Sequence, residues 1–386
     1  MPHRRRTPEH LLIFVLLAGC GGSLPFQIAE PAGGAEDVTT VLYLVGDAGD
    51  PDPRGEPVLT ALEGDIRQGA QVGERLLVFL GDNVYPRGLP PEGAAERPEA
   101  ERRLAEQVDL AVRTGTPTIF IPGNHDWDFS GPDGWASVRR QEAFVEARGA
   151  GLVSFLPDEG CPGPVRREVG EQVRLVLLDT EWWLRSGDKP RHPSSNCAAD
   201  SPEEVIEALG LALDDPGDRQ VVVVGHHPLM TAGPHGGNFG FRNHLFPLVD
   251  WKGWLWVPLP AIGSIYPIAR RRGISEQDMS GGLNRAMRVA IEGALVENPP
   301  LAWVSGHVHG LEALDGGDLA RILLVSGAGI YGHVSPIDAL EQTLYAGSHS
   351  GYAKMEFEAS GRVRVSILAV DGEGNRHEVW ASFLEE

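Results

Sequence analysis

Leu76-Leu77-Val78-Phe79-Leu80, followed directly by Gly81-Asp82-Asn83-Val84-Tyr85, is the stretch on which the reading of this chain turns. Five consecutive apolar residues read as a short buried strand. The glycine permits a tight turn, and the turn then presents a carboxylate and, three residues later, a phenol. In open α/β sheets, ligands collect at the carboxyl ends of the strands. A single aspartate there says little, because aspartate is a common turn former and helix cap. Here the pattern recurs. Strand-like runs also deliver Gly46-Asp47, Gly123-Asn124-His125-Asp126, Gly225-His226-His227-Pro228 and Gly306-His307-Val308-His309-Gly310. Five turns of one type, all carrying metal-ligand chemistry, point to one site.

Outward from this stretch, Thr39–Val45 has β-type composition and ends in Gly46-Asp47. Val58, Leu59, Leu62 and Ile66 form a helical stripe between that strand and the central one, and Leu104, Val108 and Val112 mark a second helix. Strands are predicted at 117–121, 173–178, 220–224, 301–305 and 322–325. Ser201-Pro202-Glu203-Glu204 is a capping box with proline at the first helical position. The segments Tyr352–Phe357, Arg362–Ala369 and Glu378–Phe383 alternate apolar and polar residues, as half-buried antiparallel strands do. Strands alternating with helices, then strands alone, indicate an α/β layered fold with antiparallel strands at its end. No internal repeat or interior linker divides it, so residues 39–386 read as one domain.

The amino terminus is different material. Arg4-Arg5-Arg6, the apolar run Leu11–Leu17 and small residues at the end describe a secretory signal peptide over residues 1–19, too short to span a bilayer. Leu17-Ala18-Gly19-Cys20 resembles a bacterial lipobox, which implies a lipidated Cys20 and an exported protein anchored in the cell envelope, at the periplasm or cell surface. Residues 20–38, rich in Gly, Pro and Ala, read as a flexible tether. Cys161 and Cys197 then remain as an even pair in an exported chain, which suggests a disulfide, with two free thiols as the alternative. The net charge of −21 argues against a nucleic-acid partner. It does not exclude anionic substrates, because bound cations can dominate the local field.

Asp47, Asp82, Asn124, His226, His307 and His309 offer carboxylate, amide and imidazole donors. Such mixed sets suit first-row metals of charge two or three rather than structural zinc. With these residues the chain resembles the calcineurin-like metallophosphoesterases, and within them the purple acid phosphatases of the small tartrate-resistant kind. The resemblance covers about Thr39 to the carboxyl terminus. The wider family commonly carries Asp-x-His in its first motif, where this chain has Asp47-Ala48-Gly49. Tyr85 stands where purple acid phosphatases hold a tyrosinate ligand, so a lost imidazole is matched by a gained phenolate. The resemblance implies a four-layer α-β-β-α sandwich and two metal ions. One ion would take Asp47, Asp82, Tyr85 and His309, and the other Asp82, Asn124, His226 and His307. A phenol with an ordinary pKa of about 10 needs a strong Lewis acid to stay ionised, which favours Fe(III) there. The second ion would be Fe, Zn or Mn. His125 and His235 match histidines that hold the phosphate or protonate the leaving group. Asp126 is expected to orient a histidine, His227 to pack locally, and His333 to line the pocket.

The function so implied is hydrolysis of a small phosphate monoester by activated water, with no serine or cysteine nucleophile. A phosphodiesterase or nucleotide phosphatase would use the same ligands, since specificity lies in the loops. From another class, a non-catalytic envelope protein could keep the site to bind phosphate or metal. One segment departs from the small acid phosphatases, an insertion over about 246–285. Its part 246–272 holds Trp251, Trp254 and Trp256 and closes on Arg270-Arg271-Arg272. It reads equally as a lipid-facing surface, a lid, or an insertion packed on the core.

Overall fold

The computed structural model describes residues 37–246, 248 and 255–384. The expected signal peptide, Cys20 and all but the last two residues of the tether lie outside the described residues. Strand β1 (Val38–Val45) starts one residue before the domain boundary read from sequence, and Val38 already pairs with Glu358. It is followed by β2 (Glu74–Phe79), β3 (Thr118–Phe120) and β4 (Val153–Phe155). Next in the chain come β5 (Val165–Val169), β6 (Val173–Leu177), β7 (Gln220–Val224), β8 (Ala302–Ser305), β9 (Leu311–Asp315), β10 (Ile322–Ser326) and β11 (Thr343–Gly347). The chain closes with β12 (Gly351–Glu358), β13 (Val363–Val370) and β14 (Arg376–Leu384). Two sheets result, in the orders β14-β13-β12-β1-β2-β3-β4 and β11-β9-β10-β8-β7-β6-β5.

Helices α1 (Pro57–Gln68), α2 (Arg97–Thr114) and α3 (Gly134–Arg148) lie on one side. The one-turn α4 (Glu181–Leu184), α5 (Pro202–Leu213), the short α6 (Phe241–Leu245) and α7 (Ile265–Arg271), and α8 (Gly282–Glu297) follow. The layers follow from the period of two along each strand. On β1, Val41, Tyr43 and Val45 pack with α1 and α2, while Leu42 and Leu44 face the second sheet. There they meet Leu175, Val222, Val304 and Leu324. On the far side of the second sheet, Val223 and Trp303 pack with Val205 and Leu209 of α5 and Met287 and Ile291 of α8. The molecule is therefore the α-β-β-α sandwich that the resemblance implies. Ser201 caps α5 as its sequence predicts, accepting from Glu204 N. The stripe on α2 holds at Leu104 and Val108 but not at Val112, which is exposed; Leu110 and Ala111 are buried instead.

Register brings the turns together. The parallel pairs Val45↔Phe79, Phe79↔Phe120 and Val224↔Val304 end the motif-bearing strands at one edge of each sheet. The two edges are joined where Gly46 N donates to Ser326 O at 2.7 Å and Gly329 N to Gly46 O at 3.0 Å. The disulfide between Cys161 and Cys197 forms, 36 residues apart in sequence.

Candidate metal centre

Each expected donor is held by a turn that its sequence makes possible. Asp47, Asp82 and His307 have φ of 57°, 55° and 68°, left-handed values uncommon for non-glycine residues and typical of functional sites. Gly81, at φ 93°, leaves no room for a side chain, because a Cβ there would meet His226 Nδ1 at 2.6 Å. A Cβ on Gly123 would meet Asp82 N at 2.4 Å. Glycines at these strand ends therefore let two neighbouring turns and an imidazole interlock.

The donors fall into two sets. In the first, Tyr85 Oη lies 3.1 Å from Asp47 Oδ1, 3.3 Å from Asp82 Oδ2 and 3.2 Å from His309 Nε2. In the second, Asn124 Oδ1 lies 3.1 Å from both His226 Nε2 and His307 Nδ1, and His226 Nε2 is 3.5 Å from Asp82 Oδ1. Asp82 thus has one oxygen in each set. The ring nitrogens turned away from the sets face carbonyls, which only accept. His226 Nδ1 donates to Leu80 O at 2.8 Å and His307 Nε2 to Gln277 O at 2.9 Å. That fixes the tautomers and leaves Nε2 of His226 and Nδ1 of His307 with a lone pair inward.

The donor set fits cations. Asp47, Asp82, Tyr85, Asn124, His226 and His307 are all buried, and ligand atoms of Asp47, Asp82 and His226 lie within 4.8 Å of one another. Among the described residues no lysine or arginine pairs with either carboxylate. Burial, and then the charge of Asp82, pushes Asp47 up to about 7. Burial and the two carboxylates hold the Tyr85 phenol well above its usual range. Burial keeps His307 neutral and lowers His309 to about 4. Two crowded carboxylates, with neutral His307 and His309 beside them and no lysine or arginine paired with them among the described residues, make a cluster that suits cations.

His125 and His235 flank the donors on opposite sides. His125 Nδ1 donates to Pro86 O at 2.7 Å, its ring stacks on Phe129 at 4.6 Å, and Nε2 is 3.9 Å from Asp82 Oδ2. His235 Nδ1 lies 2.9 Å from Asp278 Oδ1 and 3.1 Å from Gln277 O, and its ring sits 4.0 Å from that of His307. Both histidines line a cavity of about 270 Å³ above the donors, with Phe129, Tyr266 and Arg270 at its sides.

Three secondary expectations resolve differently. Among the described residues Asp126 hydrogen-bonds to no histidine. Its carboxylate accepts from Gly123 N, Asn83 N, Val84 N and Asn83 Nδ2, so it ties the central turn to the next one. His227 lies near His226 and His307, but both its nitrogens are occupied, Nδ1 by Thr180 Oγ1 at 2.7 Å and Nε2 by Gln277 Oε1 at 2.9 Å. It packs locally, as read. His333 packs its ring 4.1 Å from His309 and 5.8 Å from Tyr85, at the edge of the pocket. Sequence reasoning missed Gln277 and Asp278; Tyr266 and Arg270, which line the cavity, lie in the segment 246–272 for which a lid was one reading. The polar trio Glu276-Gln277-Asp278 after the arginines was the available signal, whereas the Gln277 carbonyl leaves none.

Comparison with known proteins agrees with this geometry. Residues 42–311 match the family described as "Calcineurin-like phosphoesterase". The chain is similar to purple acid phosphatase 17 of Arabidopsis thaliana, 24% identical over 236 residues. The match covers 59% of the chain and 62% of that protein, so it spans under two thirds of the relative's length. Among solved structures, the fold is similar to the purple acid phosphatase PPD1 from yellow lupin seeds, with a TM-score of 0.52 and 12% identity, over 90% of this chain and 54% of that one. It is also similar to GAP50, the anchor in the inner membrane complex of Plasmodium, with a TM-score of 0.51 and 14% identity, over 89% and 90%.

Proposed function

The chain belongs to the calcineurin-like phosphoesterases, and from this we propose that it is a metal-dependent phosphoric ester hydrolase acting on small phosphate monoesters at a centre of two metal ions. Asp47, Asp82, Tyr85 and His309 would hold one ion, and Asp82, Asn124, His226 and His307 the other. The observation that most supports this reading is the Asp82 carboxylate. One of its oxygens lies 3.3 Å from Tyr85 Oη and the other 3.5 Å from His226 Nε2.

Bound there, the cations would supply Lewis-acid charge that neutralises the phosphoryl oxygens and activates water for in-line attack. The chain supplies position. Backbone carbonyls hold His226 and His307 rigid, so the donors need little reorganisation when charge develops. His125 and His235, anchored through Nδ1, turn their remaining nitrogens to the cavity. There they bind a phosphoryl oxygen and deliver a proton to the leaving oxygen, work for which imidazole is suited.

Turnover of p-nitrophenyl phosphate with little of its bis ester is the expected result. The reverse preference would establish the phosphodiesterase alternative, and no turnover of either with metal bound would favour a binding protein. Fe(III) at the Tyr85 ion should give a phenolate-to-iron band in the visible, lost in Tyr85→Phe. Colourless protein holding only Zn or Mn would defeat the iron assignment and leave the hydrolase reading standing. We place the protein in the envelope, anchored through Cys20; Cys20→Ser should move it to the soluble fraction.

A further inference from the structure

The insertion exposes apolar side chains at a density that folded surfaces avoid. Trp256 is 56% exposed, Ile262 64%, Ile265 63% and Ile274 73%, with Val257, Tyr266 and Ile268 exposed beside them. Single exposed apolar residues need no explanation, but a cluster within twenty residues of sequence does. Helix geometry sorts the residues around α7. Ile262, Ile265 and Ile268 follow at intervals of three and share one face, pointing to solvent. Tyr266 and Arg270, four apart, share another face and line the cavity over the donors. The helix is thus a wall with the candidate site on one side and isoleucines on the other. Trp256 packs at α6, which itself touches α7, with its ring 5.0 Å from the Arg242 guanidinium and 5.4 Å from the Phe246 ring.

The charge of the patch says what covers it. The chain carries 54 acidic and 33 basic residues, yet from Trp251 to Ser275 there is no Asp or Glu, and there are four cations. Arg270 is neutralised by Asp278, which it grips through Nε at 2.8 Å and through a second, shorter bond. Arg271 and Arg272 are exposed, Arg271 braced on Gly237 O, and Arg242 of α6, outside that stretch, is exposed as well. Aromatic and aliphatic side chains interleaved with arginines make up the surface that settles at an anionic lipid interface. A second copy of the chain is disfavoured as the occupant, because a two-fold contact through this face would set its arginines against their own copies. We propose that the face formed by Trp256, Ile262, Ile265, Ile268 and the flanking arginines docks on an anionic lipid bilayer. The acidic remainder of the molecule is repelled from such a surface, which fixes the orientation and sets the cavity mouth beside the headgroups.

The test uses the chain from residue 20 onward carrying Cys20→Ser, so that neither a lipid nor the basic, apolar segment 1–19 contributes. It should co-sediment with equimolar phosphatidylcholine–phosphatidylglycerol vesicles and much less with phosphatidylcholine alone. Ile262→Asp combined with Ile265→Asp and Ile268→Asp should weaken binding at least about tenfold, by removing inserted apolar area and adding repulsion. Arg271→Glu with Arg272→Glu should abolish the preference for anionic vesicles. Both variants should turn over soluble p-nitrophenyl phosphate like the parent, which shows that they fold. Vesicle binding unchanged in both variants, or absent in the parent, overturns the proposal. So does a concentration-dependent dimer that the same substitutions dissolve, since the face would then belong to a second copy.

Discussion

On the floor of the pocket, three of the donors are fixed by a backbone group of another turn: His226 by Leu80 O, Asp47 by His307 N at 2.8 Å, and Asp82 by His125 N at 2.8 Å. On the wall, where residues 266–278 meet His227, His235 and Glu181, side chains fix one another. Arg270 grips Asp278, Asp278 meets His235, and Gln277 bridges His227 and Glu181. A site with a backbone-built floor and a side-chain-built wall separates two jobs. Holding charge falls to the floor, whose shape should survive a single side-chain substitution in the wall. Aligning the substrate and its proton falls to the wall, which can be retuned without dismantling the centre.

The widest break in that division should come from Asp82→Asn. The carboxamide offers one acceptor oxygen where two are used, and its NH2 must face a donor. Loss of metal from purified protein is expected, with turnover down by at least about a thousandfold, since charge stabilisation by such ions is worth several kcal/mol. Turnover within about tenfold of the parent would mean that Asp82 does not join the two sets.

His235→Ala should fall next, by roughly a hundredfold or more, the usual scale of a lost general acid. Metal content should not change, because His235 belongs to neither donor set. If the metal is lost as well, floor and wall are one unit and the division fails. Asp278→Asn sharpens the same point with a smaller effect, about tenfold, in the range of a lost orienting partner. The amide can still accept from His235 Nδ1, but it no longer neutralises Arg270, so the loss should appear mainly in kcat with metal content unchanged.

This division also explains what could be read without coordinates. The floor was legible because its chemistry is tied to local backbone rules. An apolar strand, a glycine and a donor recur five times, and register does the rest. Tyr85 was legible for the same reason, lying on the turn that carries Asp82. The wall was not legible, because its contacts join residues far apart in sequence: His235 to Asp278, His227 to Thr180, Trp127 Nε1 to Asp179. None has a period or spacing to betray it. Asp126 misled for the opposite reason. Next to His125 it looked like an orienting carboxylate, yet the backbone donors of Asn83 and Val84, over forty residues away, claimed it.

The mildest effect on turnover, and the most specific on stability, is expected where wall meets floor. Glu181 is fully buried on α4; one oxygen accepts from Gln277 Nε2 at 2.9 Å and the other has no partner among the described residues. Burial raises its pKa from 4.5 to about 8, with Gln277 opposing and Asp179 adding to the rise. The sign follows from which state releases the proton. Below pH 4.5 the folded and unfolded chains both keep it, and the group contributes no pH dependence. Between 4.5 and about 8 the unfolded chain ionises while the folded one resists, so the parent loses stability as pH rises. Above that window the loss is complete and constant. Glu181→Gln cannot ionise, yet its amide oxygen still accepts from Gln277. Its advantage over the parent should therefore grow across the window to a few kcal/mol at most, on the order expected for such linkage. Denaturant midpoints at pH 4 and pH 8 measure it, on metal-loaded protein with turnover nearly unchanged. Parallel pH profiles for the two proteins would show that the wall is not held to the floor through a neutral Glu181.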